Sequence, residues 1–147
     1  MIVSCAADPA VTEARQELKI PVIGAGSAAA SLALSLGKRI CVLNLTEETP
    51  EVIKRILGNH LVAEAKPRNV KSTLDLLTNW GREAAKEALT MLLRKGIDVT
   101  VLGCTGYSTI GFAKVAEEIS GIRVVDPVVA AGAVAFTVIR RREAFQR

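Results

Sequence analysis

A series of short apolar runs, each too brief for a helix and each followed by a helix-forming stretch, constrains this chain more than any other feature. They are Ile2-Val3-Ser4, Ile20-Pro21-Val22-Ile23, Arg39 to Leu43, Leu61 to Ala65, Val99 to Leu102 and Ile122 to Val125. Most are apolar throughout rather than at alternate positions, which suits strands buried on both faces. No Asn-Gly or Asp-Gly turn separates them, so consecutive strands must be joined by crossovers rather than hairpins. Crossover helices then cover both faces of a parallel sheet. The expected fold class is therefore α/β, with parallel sheets and helices on both faces. A hydrophobic content of 50% with only 3% aromatics agrees, because such a core must be built from Ala, Val, Leu and Ile.

Local signals place the helices. Asp8-Pro9 reads as the N-cap and first position of a helix reaching about Leu18. A small-residue helix is expected from Ser27 to Leu36, stopping at Gly37 as its C′ residue. Pro50 precedes Val52, Ile53, Ile56 and Leu57 at helical spacing, closed by Gly58-Asn59. One long amphipathic helix is expected from Thr73 to Lys95, with Leu76, Leu77, Trp80, Ala84, Ala88 and Met91 on its core side and Gly96 at its end. A helix from Ser108 to Ser120 follows the strand at Val99, and Asp126-Pro127 opens the last one.

Charge and cysteine usage narrow the function classes. Much of the net charge of +4 sits in Arg140 to Arg147, which holds four arginines and one glutamate. With no basic stripe or interleaved aromatics elsewhere, nucleic acid is not an expected partner. Three cysteines without a CxxC pair do not make a secreted disulfide framework, which points to a reducing, cytoplasmic compartment. Val128 to Ile139 is interrupted by Gly132 and Thr137 and is shorter than the roughly 18–20 residues of a spanning helix. No membrane association and no signal peptide are therefore expected.

Cys5 and Cys104 occupy equivalent places, each ending an apolar run and leading through small or polar residues into a helix. Ligands of α/β sheets bind at the carboxyl ends of strands. A thiol beside a helix N-terminus is expected to have a lowered pKa, which makes it a usable base. Two such thiols facing one another supply a base and an acid on opposite sides of a carbon. Gly103 and Gly106 allow close backbone approach around Cys104. Cys41, in the middle of Arg39 to Leu43, reads as a core residue.

Gly24-Ala25-Gly26-Ser27-Ala28-Ala29 matches the GxGxxA form of a dinucleotide fingerprint, but Asn44 stands where the ribose-binding acid would be. Tight packing at a helix start explains the same residues. His60 is the only histidine and reads as a surface residue, so no histidine-based metal site is expected. Asp8 and Asp126 read as helix caps that could also orient a neighbouring group.

Cys5-Ala6-Ala7-Asp8-Pro9, Ile20 to Gly26, Leu102-Gly103-Cys104-Thr105-Gly106 and Val125-Asp126-Pro127-Val128 together resemble the aspartate/glutamate/hydantoin racemase superfamily, most closely its hydantoin racemase branch. The similarity covers essentially the whole chain. It implies two similar α/β lobes around a cleft, one formed by residues 1–37 with 127–147 and the other by residues 38–126. It also implies a cofactor-independent racemase with Cys5 and Cys104 as its proton-transfer residues. Ser4, Ala6, Gly24, Thr105 and Gly106 would be the substrate-binding positions, with Asp8 and Asp126 behind them. The implied ligand is a small molecule, a 5-substituted hydantoin or a related compound, and the expected assembly is a homo-oligomer. Members of the family carry a further stretch before the first cysteine, so the first lobe is expected to be incomplete, with an open sheet edge. Two other readings stand beside this one. They are a non-catalytic ligand-binding or oligomeric module keeping the fold, and a dinucleotide-binding protein using Gly24-Ala25-Gly26.

Overall fold

The computed structural model describes residues 1–144, so residues 145–147 of the arginine-rich tail lie outside the described residues. Strands β1 (Ile2–Val3) and β2 (Ile23–Gly24) form a parallel pair. Strands β3 (Ile40–Leu43), β4 (Leu61–Ala65), β5 (Val99–Leu102) and β6 (Arg123–Val125) form a second, all-parallel sheet in the order β4-β3-β5-β6. The helices are α1 (Val11–Glu17), α2 (Ala25–Leu36), α3 (Glu51–Leu57), α4 (Asn79–Leu93), α5 (Gly106–Thr109), α6 (Phe112–Ser120) and α7 (Pro127–Ala144). The expected α/β class with parallel sheets and helices on both faces is the observed one.

The two central strands, β3 and β5, are buried at every position. Their side chains alternate between two cores. Ile40, Val42, Val99 and Val101 pack with residues of α2, α3 and α7, whereas Cys41, Leu43 and Leu102 pack with residues of α4, α5 and α6. Each fully buried Leu, Ile or Val contributes about 1.5–3 kcal/mol, which is why uniformly apolar strands select this two-sided arrangement. Helix α2 buries Ala25, Ala28, Ala29, Ala30 and Ala33, and α7 meets it with Ala130 and Ala131. Small side chains on both helices allow this close packing. The strand order reverses direction between β3 and β5, because β4 lies on one side of β3 and β5 on the other. A crevice at such a reversal, outside the carboxyl ends of the strands, is where ligands bind in open α/β sheets.

Several local expectations are corrected. The segment expected to be one helix from Thr73 is broken: Asp75–Leu77 form a 3-10 turn, and Thr78 caps α4 by accepting the Gly81 N–H at 3.1 Å. The buried face of α4 is Gly81, Ala85, Ala88, Leu89 and Leu92. Trp80 and Met91, expected in the core, are 49% and 66% exposed. Gly81 fixes this rotation, since a Cβ there would lie 2.0 Å from the Asp75 carbonyl oxygen. The expected Ser108–Ser120 helix is split into α5 and α6 by Gly111, whose φ is +62°. Helix α2 stops at Gly37 as expected; the glycine is extended there, and a Cβ on it would collide with the Asp98 side chain. His60 is exposed, as expected. Among the described residues, no helix is long and apolar enough to cross a membrane.

The α4 correction gives a direct test. Leu89→Ala is expected to cost about 2–5 kcal/mol of stability in urea unfolding, whereas Met91→Ala is expected to change it by no more than about 0.5 kcal/mol. Comparable losses for the two would restore the face read from the sequence.

Candidate active site

Cys5 and Cys104 each follow a strand after one intervening residue, Ser4 after β1 and Gly103 after β5. Both are free thiols and half-buried. The two turns meet where the Thr105 hydroxyl donates to the Ser4 carbonyl at 3.5 Å. Electrostatics record the same proximity, because charge on Cys5 acts on the Cys104 thiol.

The Cys5 turn is built by Asp8. Its N–H donates to the Cys5 carbonyl at 3.1 Å, and it takes a positive φ of 51° to do so. Its carboxylate accepts the N–H groups of Gly26 at 2.7 Å and Ser27 at 2.9 Å. Asp8 therefore caps α2, not the helix that follows it. The N-cap position of α1 is Ala10, with left-handed backbone and no side-chain cap. The glycine pattern follows from this clamp. A Cβ on Gly24 would sit 2.1 Å from Asp8 Oδ2, and one on Gly26 would sit 1.9 Å from the Ala6 carbonyl oxygen. Gly24 and the buried Ala6 thus serve the closeness of the turn to α2. The first free N–H groups of α2, which a dinucleotide phosphate would need, are held by the chain's own carboxylate. Asn44, in the place of the ribose-binding acid, is buried and bonded to Thr49.

Around Cys104, the Gly106 N–H donates to Sγ at 3.3 Å. The position of a Cβ on Gly106 is taken by Thr73, 2.6 Å away, so the loop before α4 covers this side. Asp126 caps α7 as expected, with Oδ1 accepting the N–H groups of Val128 at 2.8 Å and Val129 at 3.1 Å. The same oxygen accepts the Ser108 hydroxyl at 2.7 Å, tying α5 to the start of α7. Asp8 and Asp126 thus fasten the two cysteine turns to α2 and α7.

The Cys104 thiol is shifted upward, not downward as a helix N-terminus alone would predict. Burial is the largest cause, the Gly106 N–H opposes it, and charge on Cys5 adds to the rise. The helix after Cys104 is a single turn, with little dipole to set against desolvation. Cys41 is fully buried, donates to Thr100 Oγ1 at 3.3 Å and is raised to about 11, chiefly by burial. It is a core residue, as its mid-strand position implied.

Sequence reasoning missed Thr73 and Tyr107, and passed over Asn44 except as a misplaced acid. The available signal was the polar residue directly after an apolar strand. Nothing local marks the other two.

A family model for Asp/Glu/hydantoin racemases matches residues 1–135 of the chain. The chain belongs to that family. Curated relatives include a hydantoin racemase of Rhizobium meliloti, 28% identical over 138 residues, covering 88% of this chain and 56% of the relative. A hydantoin racemase of Paenarthrobacter aurescens is 27% identical over 153 residues, covering 94% of this chain and 60% of the relative. This racemase-family chain therefore spans 56–60% of the length of the curated relatives it matches. Among solved structures, an allantoin racemase from Klebsiella pneumoniae superimposes with a TM-score of 0.81 at 24% identity, covering 95% of this chain and 58% of that one. A glutamate racemase from Bacillus anthracis gives 0.70 at 22% identity, covering 96% and 57%. At these identities the likenesses establish a shared fold.

The electrostatic account predicts an ordering of reactivity. In a Cys41→Ala background, the pH midpoint for alkylation of Cys104 by iodoacetamide, followed by peptide mass, should lie above that of a free thiol. Cys5→Ser should lower it, because the neighbouring charge is gone. A midpoint at or below the free-thiol value, or one indifferent to Cys5, would contradict the account.

Proposed function

We propose that the chain is a cofactor-independent racemase acting at C5 of 5-substituted hydantoins, with Cys5 and Cys104 exchanging acid and base roles. The observation that carries this reading is a pair of unbridged, half-buried, electrostatically coupled thiols at equivalent strand ends in a member of the racemase family. Coupling matters because charge on one thiol holds the proton on the other. Inversion of a stereocentre requires one thiolate and one thiol, and the raised Cys104 suits the role of the thiol.

In the proposed reaction the thiolate takes the C5 proton, and the C–H electrons move onto the adjacent carbonyl as an enolate. The opposite thiol then returns a proton to the other face of C5, re-forming the carbonyl. The enantiomer reverses the roles. General acid–base catalysis requires both sulfurs within hydrogen-bonding reach of the carbon, one on each side. The Thr105 hydroxyl, Ser4 and backbone near Ala6 and Gly106 are the groups assigned to the substrate carbonyls. Allantoin is itself a hydantoin substituted at C5, so the names of the hydantoin and allantoin racemases point to one ring chemistry.

The remaining parts of the reading follow. For the division into one lobe of residues 1–37 with 127–147 and another of 38–126, the separation of the two parallel sheets is the supporting observation, whereas α2 and α7 share a core with β3 and β5 and speak against it; residues 145–147 lie outside the described residues. Three free cysteines suit a cytoplasmic protein. Exposed Val129, Phe136 and Ile139 along α7 suit a homo-oligomer.

The test is hydantoin or allantoin enantiomer in deuterium oxide, followed by optical rotation and by NMR of the C5 proton. Rotation should vanish together with C5–H exchange. Cys5→Ser and Cys104→Ser should each slow racemisation by about 10²- to 10⁴-fold, the span of a lost acid–base group. The pH profile should be a bell, rising as one thiol ionises and falling as the second does. With Cys104 shifted upward, chiefly by burial, the falling limb is expected above the ordinary thiol range. Full activity in either serine variant would sink the two-thiol mechanism.

A further inference from the structure

Adjoining Cys104 is a buried polar network that proton transfer itself does not use. Tyr107 is fully buried, its ring centroid 5.4 Å from that of Phe112, and its hydroxyl donates to the Asn44 carbonyl at 2.8 Å. Asn44 directly follows β3 and is only 2% exposed. Its N–H donates to the Ala65 carbonyl at 2.7 Å, and its Nδ2 donates to Thr49 Oγ1 at 2.7 Å. Thr49 in turn donates to the Glu64 carboxylate at 2.5 Å. Asn44 Oδ1 is the buried side-chain polar atom that lacks a hydrogen-bond partner among the described residues. It lies against Gly103, where a Cβ would be 2.6 Å away.

A phenylalanine at position 107 would fill the same apolar space without a hydroxyl to satisfy. The phenol instead ties α5, which follows β5, to the residue that ends β3. Two hydrogen bonds depend on where α5 sits. Gly106 N–H reaches Cys104 Sγ at 3.3 Å, and Tyr107 N–H reaches the Cys104 carbonyl at 3.3 Å. The bond to the carbonyl is already long for an N–H···O contact, so a small displacement of α5 breaks it and carries the Gly106 N–H away from the sulfur.

We infer that Tyr107 is a positioning residue for Cys104: anchored on the Asn44 carbonyl, it holds the one-turn helix whose first N–H grips Cys104 Sγ. The inference rests on the reading of Cys104 as a proton-transfer thiol, while its test reads the thiol directly. The titratable groups around it are Cys5, whose charge acts on it, Tyr107 itself, Asp126 bonded to Ser108 of α5, and Glu64 behind Asn44 through Thr49.

The experiment uses a Cys5→Ser, Cys41→Ala background, which leaves Cys104 as the one thiol while Asp126 and Glu64 stay unchanged. Tyr107→Phe should raise the pH midpoint of iodoacetamide alkylation by about half a unit or more, since a hydrogen bond to the charged form is lost. Ile53→Val, in the opposite core, should lower the melting temperature without moving the midpoint. A midpoint left in place by Tyr107→Phe, or moved equally by Ile53→Val, overturns the inference. Should Tyr107→Phe fail to fold, replacing Tyr107, the chain's one tyrosine, by 3-fluorotyrosine keeps its shape while altering the donor strength of the hydroxyl that holds the Asn44 carbonyl, and it must move the midpoint too. An unmoved midpoint there is equally fatal. A chain that racemises no hydantoin but still shows the shift loses the proton-transfer reading and keeps the positioning one.

Discussion

The site depends first on the register in which β5 lies against β3. Leu43 is level with Leu102, and the Gly103 N–H donates to the Leu43 carbonyl at 2.9 Å, so both strands end together. Because side chains alternate along a strand, slipping this pairing by one residue would turn every core residue to the wrong face. Two cores, one on each side, therefore hold a register that neither could hold alone. Its consequence is that Asn44 and Cys104, sixty residues apart in sequence, follow neighbouring strand ends, Asn44 directly and Cys104 after Gly103.

The second constraint is the Asp8 carboxylate. An aspartate followed by proline most simply caps the helix it precedes, and here it reaches eighteen residues ahead to the first N–H groups of α2. Such charge-assisted bonds are stronger than neutral ones, and a cap of this kind is worth about 0.5–2 kcal/mol. The left-handed backbone at Asp8 and Ala10 is the conformational cost of the longer reach. What results is a Cys5 turn fixed against the helix that also covers β3 and β5.

These two constraints explain which parts of the molecule were legible in the sequence. Strand positions could be read because burial on both faces leaves a local, uninterrupted apolar signature, as in Ile40 to Leu43. Cys104 was legible for the same reason, since its strand ends visibly at Gly103. Asp126 could be read because its cap is local. Asp8 could not, because its partners are chosen by tertiary packing rather than by sequence neighbours. The face of α4 was misjudged because the helix begins at Asn79, after a 3-10 turn, and one glycine against the Asp75 carbonyl decides its rotation. Tyr107 and Thr73 gain their roles only from residues distant in the chain.

Burial holds the proton on the Cys104 thiol against the pull of the Gly106 N–H, and charge on Cys5 adds to the rise. The Cys5 and Cys104 turns meet at the bond from the Thr105 hydroxyl to the Ser4 carbonyl. That meeting of the two cysteine turns is the central claim, and chemical bridging tests it most directly. Dibromobimane added to the native Cys41→Ala protein should join Cys5 to Cys104 intramolecularly, giving one crosslinked peptide pair by mass spectrometry and a matching rise in fluorescence. Separate single-arm adducts on the two cysteines, with no bridged species, would contradict the account.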